Sequence, residues 1–266
     1  VASVDDYGFQ LLRERIKRDT NFNAPFYEEK HLKRRLAVRM RALNVSTYQE
    51  YLGVLSRRRD EYNKLLRTLT INVTRFFRDP TTYDAIYKQV FPALTSRKRH
   101  IRIWSSGCSD GKEPYSIAML LLDYLGDRVT EFSPLIYASD IDDEILEKAE
   151  KGEYPEREIE GLDSRRLSKY FDRTRNGYRL KEEVRGLVKF QHRDLISDPK
   201  PRYLDLILCR NVVIYFAREV KEKIYLDFYE SLNPGGFLVL GKTETLLGGA
   251  REKFRLFHNI ERIYVK

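Results

Sequence analysis

The stretch from Ile101 to Leu122, IRIWSSGCSDGKEPYSIAMLLL, governs how the rest of the chain is read. Ile101–Ser105 is a short apolar run of strand type, and Glu113–Leu125 reads as a helix. Between them, Ser105-Ser-Gly-Cys-Ser-Asp-Gly-Lys-Glu-Pro114 is rich in small residues, which let a backbone approach a ligand closely. Pro114 suits the first turn of the helix that follows. Strand, tight turn and helix make one βα unit. The loop is neither a G-x-G-x-x-G fingerprint nor a P-loop, because its Gly-Lys pair is wrongly spaced and wrongly followed.

Towards the carboxyl terminus the same alternation continues. Strand-like runs occur at Pro134–Ser139, Gly186–Gln191, Leu204–Leu208, Gly236–Leu240 and Ile260–Val265. Helices are expected at Asp142–Lys151 and Arg218–Leu232, with a short one near Thr243. Alternating β and α elements imply a mainly parallel, doubly wound sheet. Such sheets bind ligands at the carboxyl ends of their strands.

Towards the amino terminus the pattern is helical. Phe9, Leu12 and Ile16 form one apolar stripe, and Leu32, Leu36, Met40 and Leu43 a second. Lys30, Arg34 and Arg41 fall opposite the second stripe, with Arg35 and Arg39 flanking it. Thr47 and Glu50 have capping-box spacing before Leu52 and Leu55. Tyr62, Leu65, Leu66 and Leu69 mark a fourth helix, and Asp79-Pro80 reads as the N-cap and first position of a fifth. Thr95–His100 is a short basic connector.

Composition bounds the reading. The 266 residues are 42% hydrophobic and 33% charged, enough apolar side chain for a sizeable core and so not a disordered chain. The longest candidate for a membrane span, Ile117–Leu122, is broken by Asp123, and no apolar leader is visible near Asp5 and Asp6. Cys108 and Cys209 match neither zinc spacing nor a redox pair, so no metal and no disulfide framework are expected. A cytoplasmic protein without membrane insertion is expected. Residues 1–100 hold 21 Lys/Arg against 11 Asp/Glu, and the remainder 28 against 29. The whole positive excess therefore lies in the helical part, which points to an acidic partner there; a well-solvated surface is the plainer alternative.

The strand exits carry the chemistry. The second run ends in Asp140, where nucleotide-binding sheets grip ribose hydroxyls, though the residue suits a helix cap equally. The third ends in Asp194-Leu195, an acidic edge and an apolar face suited to adenine. The fourth leaves Arg210, Asn211 and Tyr215 at its exit, and Asn233-Pro-Gly-Gly turns into the fifth. Asp194 and Asn211 are also ordinary turn formers, and Tyr215 an ordinary half-buried aromatic. Carboxylates after successive strands without a cationic phosphate cradle describe an adenosine site without phosphates. S-adenosylmethionine is a ligand of that kind.

Three separated motifs then resemble one family. They are Asn72-Val-Thr-Arg-Phe-Phe-Arg78-Asp79, Gly107-Cys-Ser-Asp-Gly-Lys-Glu113-Pro-Tyr-Ser-Ile-Ala, and Cys209-Arg-Asn-Val-Val-Ile-Tyr-Phe216. Together they resemble the chemotaxis receptor methyltransferases of the CheR type, over essentially the whole chain. The resemblance implies a helical domain at 1–70 and a doubly wound class I S-adenosylmethionine-dependent methyltransferase domain at 71–266. It also implies a small antiparallel β insertion at about 165–190, where Asn176-Gly177 signals a hairpin turn. By the same resemblance, Asn72, Thr74, Arg78, Glu113, Asp140, Asp194, Leu195, Arg210 and Asn211 contact the cofactor. Arg78 and Tyr215 lie by the transfer site. Members of the family usually have Thr-Gly-Glu where this chain has Asp110-Gly111-Lys112.

The implied reaction moves a methyl group from S-adenosylmethionine to glutamate side chains on the cytoplasmic helical domain of chemoreceptors, leaving S-adenosylhomocysteine. A glutamate with a reference pKa of about 4.3 is already ionised at neutral pH, so no general base is needed. Joining a carboxylate to a sulfonium removes charge, which favours alignment and exclusion of water. Glu113 suits the methionine ammonium, and Lys30, Arg34 and Arg41 suit an acidic receptor helix. A monomer that binds no nucleic acid is expected. Two other readings were weighed. A nucleic-acid methyltransferase would end its fourth strand in an Asn/Asp-Pro-Pro-aromatic run, and this strand ends in Arg210-Asn211-Val212-Val213. A non-catalytic regulator that senses the cofactor rests only on Asp110 and Lys112.

Overall fold

The computed structural model describes residues 4–70, 73–159 and 161–266. They divide into two compact units, residues 1–71 with 215–220, and residues 72–214 with 221–266.

The first unit contains α1 (Val4–Thr20), α2 (Glu29–Ala42), α3 (Tyr48–Arg57) and α4 (Asp60–Leu69). Phe9, Leu12, Ile16, Leu32, Leu36, Leu55, Leu65 and Leu69 of the predicted stripes are all buried, and on α3 Tyr51 is buried while Leu52 is only half-buried. Thr47 and Glu50 close both bonds of the capping box at the start of α3. Arg39, expected on the flank of α2, is instead drawn inward. It makes two 2.8 Å bonds to the fully buried Glu61, which also accepts from Tyr51 Oη at 2.9 Å. A buried carboxylate needs such pairing to remain charged. Lys30, Arg34 and Arg41 are exposed.

Residues 215–220 join this unit through backbone bonds. Glu28 N–H donates to the Tyr215 carbonyl, and Ala217 N–H to the Phe26 carbonyl, both at 2.9 Å. Tyr27 and Phe216 form a β-bridge with their rings 4.8 Å apart, edge to face.

The second unit opens with α5 (Pro80–Ala85), which runs through a π-helical segment, Ile86–Val90, into α6 (Phe91–Thr95). There follow β1 (His100–Ser106), α7 (Lys112–Leu125), β2 (Ser133–Asp140) and α8 (Asp143–Lys151). Then come β3 (Glu153–Tyr154), α9 (Glu156–Ile159), α10 (Ser164–Tyr170), β4 (Phe171–Thr174), β5 (Gly177–Leu180) and α11 (Glu182–Arg185). The chain continues as β6 (Val188–His192), β7 (Leu204–Cys209), α12 (Arg218–Ser231) and β8 (Leu232–Leu240). It ends with α13 (Gly248–Lys253), β9 (Arg255–His258) and β10 (Ile263–Val265).

The seven-stranded sheet has the order β6-β2-β1-β7-β8-β10-β9. Its first five members are parallel, β10 runs antiparallel to β8, and β9 runs antiparallel to β10. Every residue of β7 is buried, as a central parallel strand requires, and its one charged member, Asp205, accepts from Arg102 N–H and Asn233 Nδ2 at 3.0 and 2.8 Å. The order reverses between β1 and β7, so the crevice beyond their carboxyl ends is the topological switch point.

Several sequence readings change. No helix forms near Thr243; the chain turns there, and α13 begins at Gly248. Within Ile260–Val265 only Ile263–Val265 is strand, because Arg262 takes φ +52° in the turn from β9. The small antiparallel sheet, β3-β5-β4, spans Glu153 to Leu180, while Val188–His192 joins the large sheet. The insertion therefore starts earlier and ends earlier than 165–190. The hairpin loop is Arg175-Asn176, since Gly177 is paired with Thr174. Glycine is needed at 177 for another reason: a Cβ there would stand 2.2 Å from the Tyr154 carbonyl oxygen. Asp79 does not cap α5 with its side chain, and takes φ +58°.

Candidate functional site

At the exit of β1, Gly107 and Cys108 N–H both donate to the Ser139 carbonyl, at 2.8 and 2.9 Å. Gly107 has φ +70°, and a Cβ on it would lie 2.5 Å from Val212 Cγ2, so the loops after β1 and β7 touch only because this residue is glycine. Ser109 N–H donates to Asp140 Oδ2 at 2.8 Å. Asp140 Oδ1 accepts from Ile141 and Asp142 N–H at 2.8 and 3.2 Å. Burial raises the pKa of this carboxyl, and the three amide donors oppose the rise. The cap of α8 is not Asp140 but Asp142, which accepts from Ile145 N–H.

A second cluster centres on Arg210, which is 6% exposed. Its Nη2 donates to Asp79 Oδ2 at 2.7 Å and to the Arg78 carbonyl at 2.8 Å. Its Nη1 lies 3.5 Å from Glu113 Oε2. Glu113 Oε1 accepts from Ser105 Oγ at 2.7 Å. Burial pushes the Glu113 carboxyl up, and Arg210, Ser105 and Arg78 pull it back. The Arg78 segment is fixed on either side. Phe77 N–H donates to Ser116 Oγ at 2.9 Å, and Phe76 packs edge-on to Tyr154 and Phe171 of the small sheet. Arg78 itself is half-buried and donates to the Val73 carbonyl at 3.1 Å.

Sequence reasoning missed Glu244. This residue is 3% exposed and accepts from the N–H groups of Asn211 (2.8 Å), Val212 (3.1 Å) and Gly241 (2.7 Å). Ile214 N–H adds a further bond. One carboxylate thus fixes the exit of β7, where Asn211 is held at φ +60°. Burial drives its pKa up against those donors.

The remaining site residues are distributed as follows. Asp194 is turned into its own loop, accepting from Ile196 N–H at 2.7 Å and Ser197 Oγ at 2.9 Å, and Leu195 is buried. Thr74 is half-buried, and Asn72 lies outside the described residues. Tyr215 belongs to the helical unit, where its ring lies 4.5 Å from that of His31. Geometry therefore brings Arg78, Glu113, Asp140, Arg210 and Asn211 to one end of the large sheet, the switch point.

Residues 72–262 match the family described as CheR methyltransferase, SAM binding domain, and residues 8–70 match CheR methyltransferase, all-alpha domain. The chemotaxis protein methyltransferase of Listeria monocytogenes is 34% identical over 252 residues, 94% of each chain. That of Salmonella typhimurium is 35% identical over 228 residues, 82% of this chain and 76% of its own. That of Escherichia coli is 35% identical over 222 residues, 79% and 74%. The chain belongs to the CheR methyltransferase family.

A CheR protein is an S-adenosylmethionine-dependent methyltransferase of chemotaxis, and neither the nucleic-acid nor the non-catalytic reading is favoured. The residues at the switch point fit that cofactor. Among the described residues, eleven buried side-chain polar atoms have no hydrogen-bond partner. Five belong to this crevice or its Arg210 wall: Ser106 Oγ, Ser109 Oγ, Arg210 Nε, Asn211 Oδ1 and Tyr83 Oη. Unsatisfied buried groups are costly, and their clustering marks where a polar ligand completes the set. Strain gathers here too: among the described residues, four of the eight non-glycine residues with positive φ are Phe77, Asp79, Ser109 and Asn211. Among the described residues no group of His, Cys, Asp and Glu is arranged to hold a metal, and no helix is long and apolar enough to cross a membrane.

Proposed function

We propose that this CheR protein is a protein-glutamate O-methyltransferase acting in the cytoplasm, as a monomer, on glutamate side chains in the helical cytoplasmic domain of chemoreceptors. The observation that carries the cofactor part is the cluster of unpartnered polar atoms beside Glu113 and Asp140 at the switch point. When bound, S-adenosylmethionine supplies an electrophilic methyl group on a sulfonium. Asp140 accepts ribose hydroxyls with the lone pairs its amide donors leave free. Glu113 binds the ammonium, its own charge supported by Arg210. Asn211 offers its amide, and Leu195 an apolar face for the base. Asp194 acts by shaping that loop, its oxygens being committed to Ile196 and Ser197. Arg210 acts chiefly as a clamp, with Nε the one nitrogen left for the cofactor.

On the substrate side, Arg78 orients the incoming carboxylate. It must not bind too tightly, because a strong ion pair would quench the nucleophile. Tyr215 is assigned to the transfer site by its motif, and Asn72 and Thr74 to the cofactor on the same basis. Residues 1–70 serve as the receptor-facing domain, with Lys30, Arg34 and Arg41 as its docking face, and residues 71–266 as the methyltransferase domain. The test is transfer of labelled methyl from S-adenosylmethionine to receptor cytoplasmic fragments, with nucleic acid as the competing acceptor. Alkali-labile label on receptor glutamates is expected. Label in nucleic acid, or alkali-stable label on protein, would overturn the assignment.

A further inference from the structure

The family departure at Asp110 and Lys112 has a structural explanation that lies outside the cofactor contacts. Lys112, with its side chain 4% exposed, is bonded to Asp110 and lies 2.8 Å from Glu158 Oε2. Lys148 Nζ lies 3.2 Å from Asp110 Oδ2 and 2.9 Å from Glu158 Oε2. Two cations and two anions therefore alternate around a closed ring. Asp110 and Lys112 belong to the loop and helix start after β1, Lys148 to α8, and Glu158 to α9, which follows β3 of the small sheet. Tyr154 of β3 adds to the same joint. Its hydroxyl donates to the Asp110 carbonyl at 2.7 Å, and Lys112 Nζ lies 5.0 Å from its ring centroid.

The ring has an inner and an outer half. Asp110 and Lys112 are almost fully buried, at 6% and 4% exposure, while Lys148 and Glu158 keep 37% and 24%. The inner half continues directly into functional geometry. Asp110 follows Ser109, whose strained backbone donates to Asp140, and Lys112 precedes Glu113. A shift of the outer pair therefore moves the loop that leads into Glu113 and that holds Asp140 through the Ser109 N–H. With the usual glutamate at position 112, three acids would meet one lysine, so the lysine is what balances this ring.

We propose that Glu158 and Lys148 are positioning residues, which set the cofactor loop through the Asp110–Lys112 pair and couple it to the small sheet. This rests on the reading of the loop after β1 as the cofactor cradle. Neither residue touches the cofactor site itself. With both residues present the ring alternates in charge, and the buried Asp110 and Lys112 neutralise each other.

The experiment measures S-adenosylmethionine binding by calorimetry and methyl transfer at saturating receptor fragment for wild type, Glu158→Gln and Lys148→Met. Both substitutions lie at partly exposed positions, so folded protein is expected. Affinity and KM for S-adenosylmethionine should weaken about fivefold or more, the range of ordinary coupling between sites, with kcat changed less than twofold. The conservative Lys148→Arg, which keeps the alternating charges at a partly exposed position, should retain most of the affinity that Lys148→Met loses. A lowered thermal midpoint with unchanged affinity and KM would make the ring structural only, and would overturn the proposal. Failure of the wild type to bind S-adenosylmethionine would instead overturn the cradle reading.

Discussion

Arg210 and Asp79 are joined by a 2.7 Å bond that links the exit of β7 to the start of α5 across 131 residues of chain. The same Arg210 nitrogen holds the Arg78 carbonyl, so the position of the Arg78 side chain depends on this pair. Asp79→Asn keeps the shape and removes the charge. It should lower stability by about 1–3 kcal/mol, the cost of an unsatisfied buried donor. At roughly 2–4 °C per kcal/mol, the thermal midpoint should fall by several degrees. Turnover should fall with it. An unchanged midpoint and kcat would mean that Pro80 and Ser116 suffice to hold this segment.

Asp140→Ala removes the proposed ribose grip and the acceptor of three amide groups. Loss of a charged hydrogen-bond pair costs roughly 1.5–3 kcal/mol, about one to two decades in cofactor affinity. Titration calorimetry on folded protein measures this directly. Unchanged affinity would remove Asp140 from the site.

Glu244→Gln replaces an all-acceptor carboxylate by an amide that presents a donor to other donors. With four backbone N–H groups converging there, at least one loses its partner, at a cost of about 1–3 kcal/mol. Weakened S-adenosylmethionine binding and a lower midpoint should appear together, because the residue holds Asn211. A midpoint that falls while binding stays intact would confine Glu244 to stability.

The basic face of α2 should act on encounter with substrate, not on transfer. Exposed charges contribute little singly and weaken as salt shortens the Debye length to about 8 Å or less. Arg34→Glu with Arg41→Glu should raise KM for receptor fragment, flatten its salt dependence and leave cofactor affinity alone. Steady-state methylation at several ionic strengths provides the check. Superimposable KM curves would mean that the substrate docks elsewhere.

His31 gives a pH prediction. Burial, with Arg35 and Arg34 adding to it, lowers its pKa from 6.5 to about 4. Between those values the unfolded chain binds the extra proton and the folded chain does not. Its contribution is therefore fully present above pH 6.5 and is lost as pH falls towards 4. His31→Leu should narrow the gap between midpoints measured at pH 7 and pH 4.5. A gap of equal size in both proteins would place the acid sensitivity elsewhere.

What was legible in the sequence was local. The capping box at Thr47, the β1 turn at Gly107 and the carboxylate ending β2 each depend on residues a few positions apart, where spacing encodes geometry. Glu244 was not legible, because it is one acid in an irregular segment whose partners arrive from the exit of another strand. The same holds for Arg39 with Glu61 and for the ring joining Lys112 to Glu158. β3 has two residues, too few for any period to show. Asn176-Gly177 was read as a turn, yet its glycine answers to the approach of Tyr154, a constraint set by the neighbouring strand.

The bridge between Tyr27 and Phe216 has a consequence for dissecting the protein. A cut at residue 71 would follow the boundary between the two family matches. The carboxyl-terminal fragment would nevertheless carry Phe216, 4% exposed in the intact chain, without the ring and backbone of Tyr27 that pair with it. The helical unit thus draws one of its segments from beyond the cut. An isolated 72–266 fragment should be stickier and less stable than its share of the core implies, and supplying residues 1–71 in trans should restore it.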